Sequence, residues 1–345
     1  MSTDRQGGAP LLSVEELGID IRMRGGQTAS IVPALSFEVR EGEALGVVGE
    51  SGCGKSITAL SLMGLLPHTA EASRGRVMYR DRDLLKLSAK EMRSVRGAEI
   101  GMIFQDPMTS FNPVMRIGDQ LTESLIRHRN MKKAAALARA EELLTLVGIP
   151  SPKERLDNYP HELSGGMRQR VMIAMGLACE PSLVIADEPT TALDVTIQAQ
   201  VVDMVKDIRG RLGTAIIWIT HDLALISGLV DRIIVLYAGV IVEEAQVDDL
   251  YANPTHPYTR GLLASLPGLG DDDAEPEELA SIPGTPPDPR RRPAGCPFAP
   301  RCANAVDRCG HEMPPLEPVS ATSSHRAACW VTVPGLAART EEVSA

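Results

Sequence analysis

Eight consecutive residues carry the strongest chemical signal in the chain: Gly49-Glu50-Ser51-Gly52-Cys53-Gly54-Lys55-Ser56. The spacing Gly-x-x-x-x-Gly-Lys-Ser is that of a phosphate-binding loop. Glycines let the backbone curl until successive N–H groups face one anion. Where such a loop opens a helix, the helix N-terminus adds its positive end. Lys55 can then reach the outer phosphates of a nucleotide, and the Ser56 hydroxyl is a hard oxygen suited to Mg²⁺. A Gly-rich turn could match by chance. Against that, the flanks are of the right type: an apolar strand, Glu43–Gly49, before it and an expected helix, Lys55–Leu66, after it.

Three further groups suit the same chemistry. The apolar run Leu183–Asp187 is followed by Glu188. Side chains alternate along a strand, so the two adjacent acids diverge. Asp187 can support Mg²⁺ from behind its direct ligands, while Glu188 can polarise a water for in-line attack. Gln105 ends a strand expected over Ile100–Gln105, with an amide able to reach Mg²⁺ or water. His221 follows the apolar run Ala215–Thr220 and can donate to a terminal phosphate. Ligands of open α/β sheets bind at the carboxyl ends of the strands, where all four residues would stand. A further segment, Leu163-Ser164-Gly165-Gly166-Met167-Arg168-Gln169-Arg170, precedes an apolar helical stretch. Ser164 is a good N-cap, and the glycines let a phosphate approach the backbone.

The elements that must hold these residues are legible in outline. Residues 11–105 alternate short apolar runs with Gly-rich turns, including a strand expected over Gly75–Leu85. Residues 106–165 read as a helical insert. Within it, Met131–Val147 places Leu137, Ala140, Leu144 and Val147 on one helical face. From residue 166 the α/β texture returns. Leu183–Asp187 and Ala215–Thr220 are continuously apolar, as parallel strands buried on both faces should be. Arg232–Tyr237 and Val240–Ala245 read as a hairpin around Ala238-Gly239. Beyond residue 250 come an acidic patch at Asp271–Asp273 and ten prolines between 283 and 318. Such a segment reads as a linker or a loop-rich tail, ordered only if something staples it.

Composition narrows the function classes. The 345 residues carry a net charge of −10 and only 3% aromatics, the wrong balance for a general nucleic-acid binder. The longest apolar stretches, such as Val171–Cys179 and Ile233–Val242, fall short of the roughly 20 residues a membrane span needs. The N-terminus, MSTDRQGGAP, lacks a basic-then-apolar leader. The expectation is a soluble cytosolic chain whose membrane role, if any, is peripheral.

In order and spacing, the phosphate loop, Gln105, the LSGGMRQR stretch, the Asp187-Glu188 strand, the Ala192-Leu193-Asp194 loop and His221 resemble the ATP-binding-cassette ATPases over about residues 10–250. The resemblance implies an α/β fold: a P-loop ATPase core with an antiparallel β subdomain and an α-helical subdomain at about 106–165. A loop-rich, cysteine-containing C-terminal extension would occupy 251–345. It implies head-to-tail pairing of two ATPase chains, each ATP held between one phosphate loop and the partner's signature segment. Ser164, Gly165, Gly166 and Asp194 would then serve a shared site. Hydrolysis would follow closure on two ATP.

Asp106–Pro113, Tyr159–Leu163, Asn253–Arg260 and Ile282-Pro283-Gly284 are similar to the oligopeptide, dipeptide and nickel importer ATPases of that family. This implies two transmembrane permease subunits docked near residues 105–125 and the insert, a second ATPase subunit, homologous or identical, and an extracytoplasmic solute-binding protein. The chain would lie peripherally on the cytoplasmic face of the cell membrane. The cargo, whether dipeptides, longer peptides, nickel chelates or glutathione-like molecules, would be chosen by receptor and permease. A soluble cassette ATPase acting elsewhere is the competing reading, weakened by a single cassette and a short insert.

Two features remain. Relatives stack adenine on an aromatic residue in the first strand region; here Leu17–Arg24 offers none, and Ile21 lies nearest the expected place. Cys296, Cys302, Cys309 and Cys329 cluster in the Pro-rich tail. Four thiolates can ligate a [4Fe–4S] cluster or a tetrahedral Zn²⁺, and free thiols are the third reading. The resemblance favours an iron–sulfur cluster acting as a structural staple. His311 and His325 are reserve ligands, read first as surface residues.

Overall fold

The computed structural model describes residues 9–23, 25–191, 193–266 and 281–341. The acidic patch at Asp271–Asp273, Ala192 and Arg24 lie outside the described residues. Two antiparallel strands, β1 (Leu12–Arg22) and β2 (Thr28–Val39), lead to β3 (Ala44–Val48), the phosphate loop and α1 (Lys55–Leu62). β4 (Ala70–Tyr79), β5 (Arg82–Asp83), α2 (Ala89–Val95) and β6 (Ile100–Ile103) follow. The insert holds α3 (Pro107–Ser110), α4 (Ile117–Arg129), α5 (Lys133–Leu146) and α6 (Pro152–Arg155). The core resumes with α7 (Gly165–Leu177), β7 (Leu183–Asp187), α8 (Val195–Leu212), β8 (Ala215–Thr220), α9 (Leu223–Ile226), β9 (Arg232–Tyr237) and β10 (Val240–Gln246). α10 (Val247–Ala252), α11 (Pro257–Ala264), α12 (Asp307–His311), β11 (Glu317–Pro318), β12 (Arg326–Ala327) and α13 (Pro334–Glu341) complete it.

Two sheets result. The smaller is antiparallel in the order β2-β1-β4-β5; the larger runs β11-β12-β10-β9-β3-β8-β7-β6, with β9, β3, β8, β7 and β6 mutually parallel. Every residue of β3, β7 and β8 is buried, as continuous apolar runs covered on both faces must be. The two-residue period sorts their side chains. Leu183, Ile185, Ile217 and Ile219 join one core, against the antiparallel sheet and α1. Val184, Ala186, Ile216 and Trp218 join the other, shared with the helical insert and the C-terminal residues.

Local signals decide most element ends. α1 stops at Leu62, short of the expected Leu66, because Gly64 turns left-handed at φ 59° and the Leu65 N–H reaches back to the Leu60 carbonyl. The strand expected over Gly75–Leu85 breaks at Arg80, which also takes a positive φ. α5 buries Ala136, Ala140, Leu143 and Leu144, with Leu137 only half-buried. The packed face is therefore turned slightly from the one read in the sequence.

The Pro-rich tail is ordered over residues 281–341, and packing accounts for it. β12 pairs with β10 through Glu243↔Ala327 and Glu244↔Arg326. Phe298, Trp330, Val333 and Leu336 are buried in the larger core, and each such side chain stabilises by about 1.5–3 kcal/mol. The Glu243 carboxylate is fully buried and accepts from the Thr255 N–H (2.6 Å) and the His256 N–H (2.9 Å), with His325 Nε2 at 2.6 Å. His325 is thus a buried tie between the tail and β10, not the surface residue expected; His311 is exposed.

Candidate active site at the carboxyl ends of the parallel strands

Strand register brings the site together. Val48 pairs with Thr220, Asp187 with Ile219, and Ile103 with Ala186. The residues that follow each strand (the phosphate loop, His221, Glu188 and Gln105) therefore emerge along one rim. Between them lies a cleft of about 270 Å³ lined by Ile31, Ser51, Gly52, Gly54, Lys55, Ser56, Ile57, Gln105 and Glu188.

The loop's shape follows from two glycines. Gly54 is the N-cap of α1 at φ 102°, a conformation costly for any residue with a Cβ. A Cβ on Gly49 would run into the Leu236 carbonyl of β9. The Cys53 carbonyl accepts from the Gly239 N–H at 2.8 Å, fastening the loop to the β9–β10 turn. Lys55 is buried. Its ammonium donates to the Gly49 carbonyl (2.7 Å) and the Glu50 carbonyl (3.0 Å), and lies 3.8 Å from Glu188 Oε1. Cys53 is buried behind the loop, and burial pushes its thiol above the usual range. It is therefore a packed thiol, not a reactive one.

Opposite the loop stand the acids. Ser56 Oγ donates to Asp187 Oδ1 at 3.0 Å. Burial raises the Asp187 carboxyl, the Ser56 bond lowers it, and the Glu188 charge raises it again. Glu188 has a left-handed backbone at φ 45°, held by its N–H to the Ile219 carbonyl (2.9 Å). That conformation is strained for a non-glycine residue and turns its side chain away from that of Asp187 into the cleft. Three groups meet the Glu188 carboxylate at Oε2: Gln105 Nε2 (3.3 Å), His221 Nδ1 (3.3 Å) and Thr191 Oγ1 (2.9 Å). Thr191, which meets the Glu188 carboxylate, and the lining residues Ile31 and Ile57 are what sequence reasoning missed. Thr191 stands three residues after the acid, close enough to have been suspected; nothing local marks Ile31.

The donor set fits Mg²⁺ and a nucleoside triphosphate. A buried ammonium, a hydroxyl hydrogen-bonded to a carboxylate and a second carboxylate share one rim, and hard oxygens with a cation for the phosphates are what that pair requires.

The signature segment lies elsewhere. Ser164 is the N-cap of α7 and accepts from the Met167 N–H at 3.3 Å. Ser164 and Gly165 are exposed, and the turn is not among the residues lining the cleft. Asp194 caps α8, accepting from the Ile197 N–H at 3.0 Å. Ile21, expected near the base, pairs through its backbone on β1 with Ala29 and Ala70 and does not line the cleft, which Ile31 of β2 does.

The metal expected on the four cysteines is not supported. Among the described residues no group of three or more Cys, His, Asp or Glu side chains could hold a metal ion. All six cysteines are free, and Cys296, Cys309 and Cys329 are buried. The Cys296 N–H donates to the Cys309 carbonyl at 2.8 Å. These residues act as small apolar packing groups, and the iron–sulfur or zinc staple is replaced by the strand pairing, aromatic burial and Glu243 bonds described above.

Fold and site together define a cassette ATPase. Residues 32–191 match the family described as "ABC transporter", and residues 242–309 match "Oligopeptide/dipeptide transporter, C-terminal region". The dipeptide transport ATP-binding protein DppD of Bacillus subtilis is 49% identical over 322 residues, covering 93% of this chain and 94% of that protein. The oligopeptide transport ATP-binding protein OppD of Escherichia coli is 48% identical over 307 residues, 89% of each. The dimeric, post-hydrolysis structure of the ATP-binding cassette MJ0796 bound to ADP and Pi superposes with a TM-score of 0.62 at 25% identity, covering 68% of this chain and 98% of that one. The chain belongs to the ATP-binding-cassette transporter family, in the group of oligopeptide and dipeptide transport ATP-binding proteins, and it is an ATPase.

Proposed function

We propose that this chain energises the import of dipeptides or oligopeptides, as one of two ATPase subunits beneath a pair of membrane permeases fed by an extracytoplasmic solute-binding protein. The observation that carries the reading is the cassette site combined with relatives named for dipeptide and oligopeptide transport. Among the described residues no helix is long and apolar enough to cross a membrane, so the permease role falls to other chains. A groove of about 340 Å³ between α2 and α4, lined by Arg93, Arg96, Gln120, Glu123, Arg127 and His128, suits a permease segment. Phe104, Met108 and Val114 beside Gln105 are exposed apolar side chains available to the same partner.

In this reading Glu188 orients and deprotonates the attacking water, and His221 and Gln105 position it. Lys55 and the residues Gly49–Ser56 hold the phosphates. Ser56 and Gln105 would hold Mg²⁺, supported by Asp187 through its bond to Ser56, and the ion when bound neutralises charge on the phosphate oxygens. Exposure of Ser164 and Gly165 supports their use against the ATP of a neighbouring subunit, with Asp194 at the same interface. The cycle is closure of two chains on ATP, hydrolysis and reopening. Vesicles carrying this chain with its permeases and binding protein should take up labelled dipeptide only with ATP. Uptake of nickel chelate or glutathione in its place, or co-purification with ribosomes instead of permeases, would reject the peptide reading.

A further inference from the structure

Glu50, the second residue of the phosphate loop, has every polar group engaged. Its N–H donates to the Tyr258 hydroxyl at 2.9 Å, its carbonyl accepts from Lys55, and its carboxylate accepts from Arg301 Nη1 at 3.1 and 2.9 Å. Two of these three partners come from beyond the cassette sheet, 208 and 251 residues along the chain.

Arg301 is equally committed. Its Nε donates to the Pro283 carbonyl (2.8 Å), its Nη2 to the Ile282 carbonyl (3.2 Å) and its Nη1 also to the Tyr237 hydroxyl (3.2 Å). The guanidinium lies 5.8 Å from the Tyr237 ring centre and 5.9 Å from that of Phe298. Its side chain is 6% exposed, that of Glu50 25%. A guanidinium whose Nε and Nη2 are fixed on the Pro283 and Ile282 carbonyls holds its Nη1 in place between the two carboxylate oxygens. Tyr237 ends β9, the strand beside β3 from which the loop springs. One buried cation therefore connects the 282–283 segment, the end of β9 and the loop.

We infer that Arg301 is a positioning residue for nucleotide binding: with Tyr258 it holds Glu50, and through Glu50 it sets the curvature of the phosphate loop. The C-terminal extension is on this account part of the nucleotide site. The inference rests on the ATP reading of the loop. Glu50 does not line the cleft, so a loosened loop weakens nucleotide binding as a whole, raising KM without a matching fall in kcat.

The test is a double-mutant cycle on the full chain with Arg301→Gln, Glu50→Gln and the double variant, reading ADP affinity by titration and ATP KM and kcat in the assembled transporter. Each single variant is expected to weaken ADP and raise KM about tenfold with kcat within a factor of three. The double variant should be no weaker than either single, since both remove one contact. Arg301→Lys should recover part of the affinity. Additive losses, or kcat falling with KM unchanged, would overturn the inference. If Arg301→Gln does not fold, Glu50→Gln alone decides: wild-type ADP affinity in that variant refutes the positioning role. Failure of the wild-type chain to bind ADP would instead reject the ATP reading itself.

Discussion

The Ser56 hydroxyl donates to Asp187 Oδ1 at 3.0 Å across 131 residues of chain. One residue lies in the first turn of α1 and the other closes β7, and neither is placed by its own element alone. β3 and β7 flank β8 on either side, so the helix that begins after β3 starts directly over the end of β7. The bond ties the phosphate loop to the acidic strand end.

Removing that donor should be felt at both ends. Ser56→Ala removes an oxygen suited to Mg²⁺ and the one hydrogen bond that lowers the Asp187 carboxyl against its burial. Without it Asp187 stays protonated to a higher pH. ATPase activity should fall about tenfold or more at saturating nucleotide, require more Mg²⁺, and show an acid limb moved to higher pH. A pH–rate profile unchanged from wild type would contradict the assignment.

Glu188→Gln keeps the shape of the side chain and removes its basicity. ATP binding should persist while turnover falls by about 10²–10⁴-fold, the range for loss of a general base. Single-turnover hydrolysis at the wild-type rate would show that another group activates the water.

The base wall gives a comparison of two positions. Ile31 lines the cleft, whereas Ile21 is engaged on β1 with Ala29 and Ala70. Stacking of a base on an aromatic ring contributes about 1–3 kcal/mol. Ile31→Tyr should therefore tighten ATP binding about tenfold, and Ile21→Tyr should change it little. Fluorescent-nucleotide titration of both variants separates the positions, and the reverse order would return the base to β1.

His256 makes stability depend on pH. It is fully buried, and burial lowers its imidazole to about 4, against the Glu243 charge that raises it. Its Nδ1 accepts from the Tyr258 N–H at 3.1 Å, which requires the unprotonated atom. His325 faces the same carboxylate. The unfolded chain binds the proton near pH 6.5, so the contribution is complete above that pH and is lost as pH falls from 6.5 toward 4. With 1.36 kcal/mol per unit, about 2 kcal/mol should disappear between pH 7.5 and pH 5. His256→Asn keeps a helix-capping oxygen and should flatten that slope in urea unfolding. An identical slope in the variant would assign the pH dependence to other groups.

Much of this protein could be read along the chain because its signals are local. Gly49–Ser56 must curl whatever surrounds it. Leu183–Asp187 and Ala215–Thr220 are apolar enough to require burial on both faces, and Glu188 and His221 follow those strands directly. Fold class, the phosphate loop and the proposed catalytic carboxylate rest on features a few residues long. What needed the tertiary structure depends on distant neighbours. Ile31 lines the cleft and Ile21 does not, because β2 is the strand that borders it. The cysteines are packing groups because β12 found β10, and because Phe298 and Trp330 found the core. Arg301 meets Glu50 because an extension built of turns and prolines folds back over the loop. Sequence spacing carries no information about contacts closed over 200 residues or more; they are decided by which surfaces must be buried together.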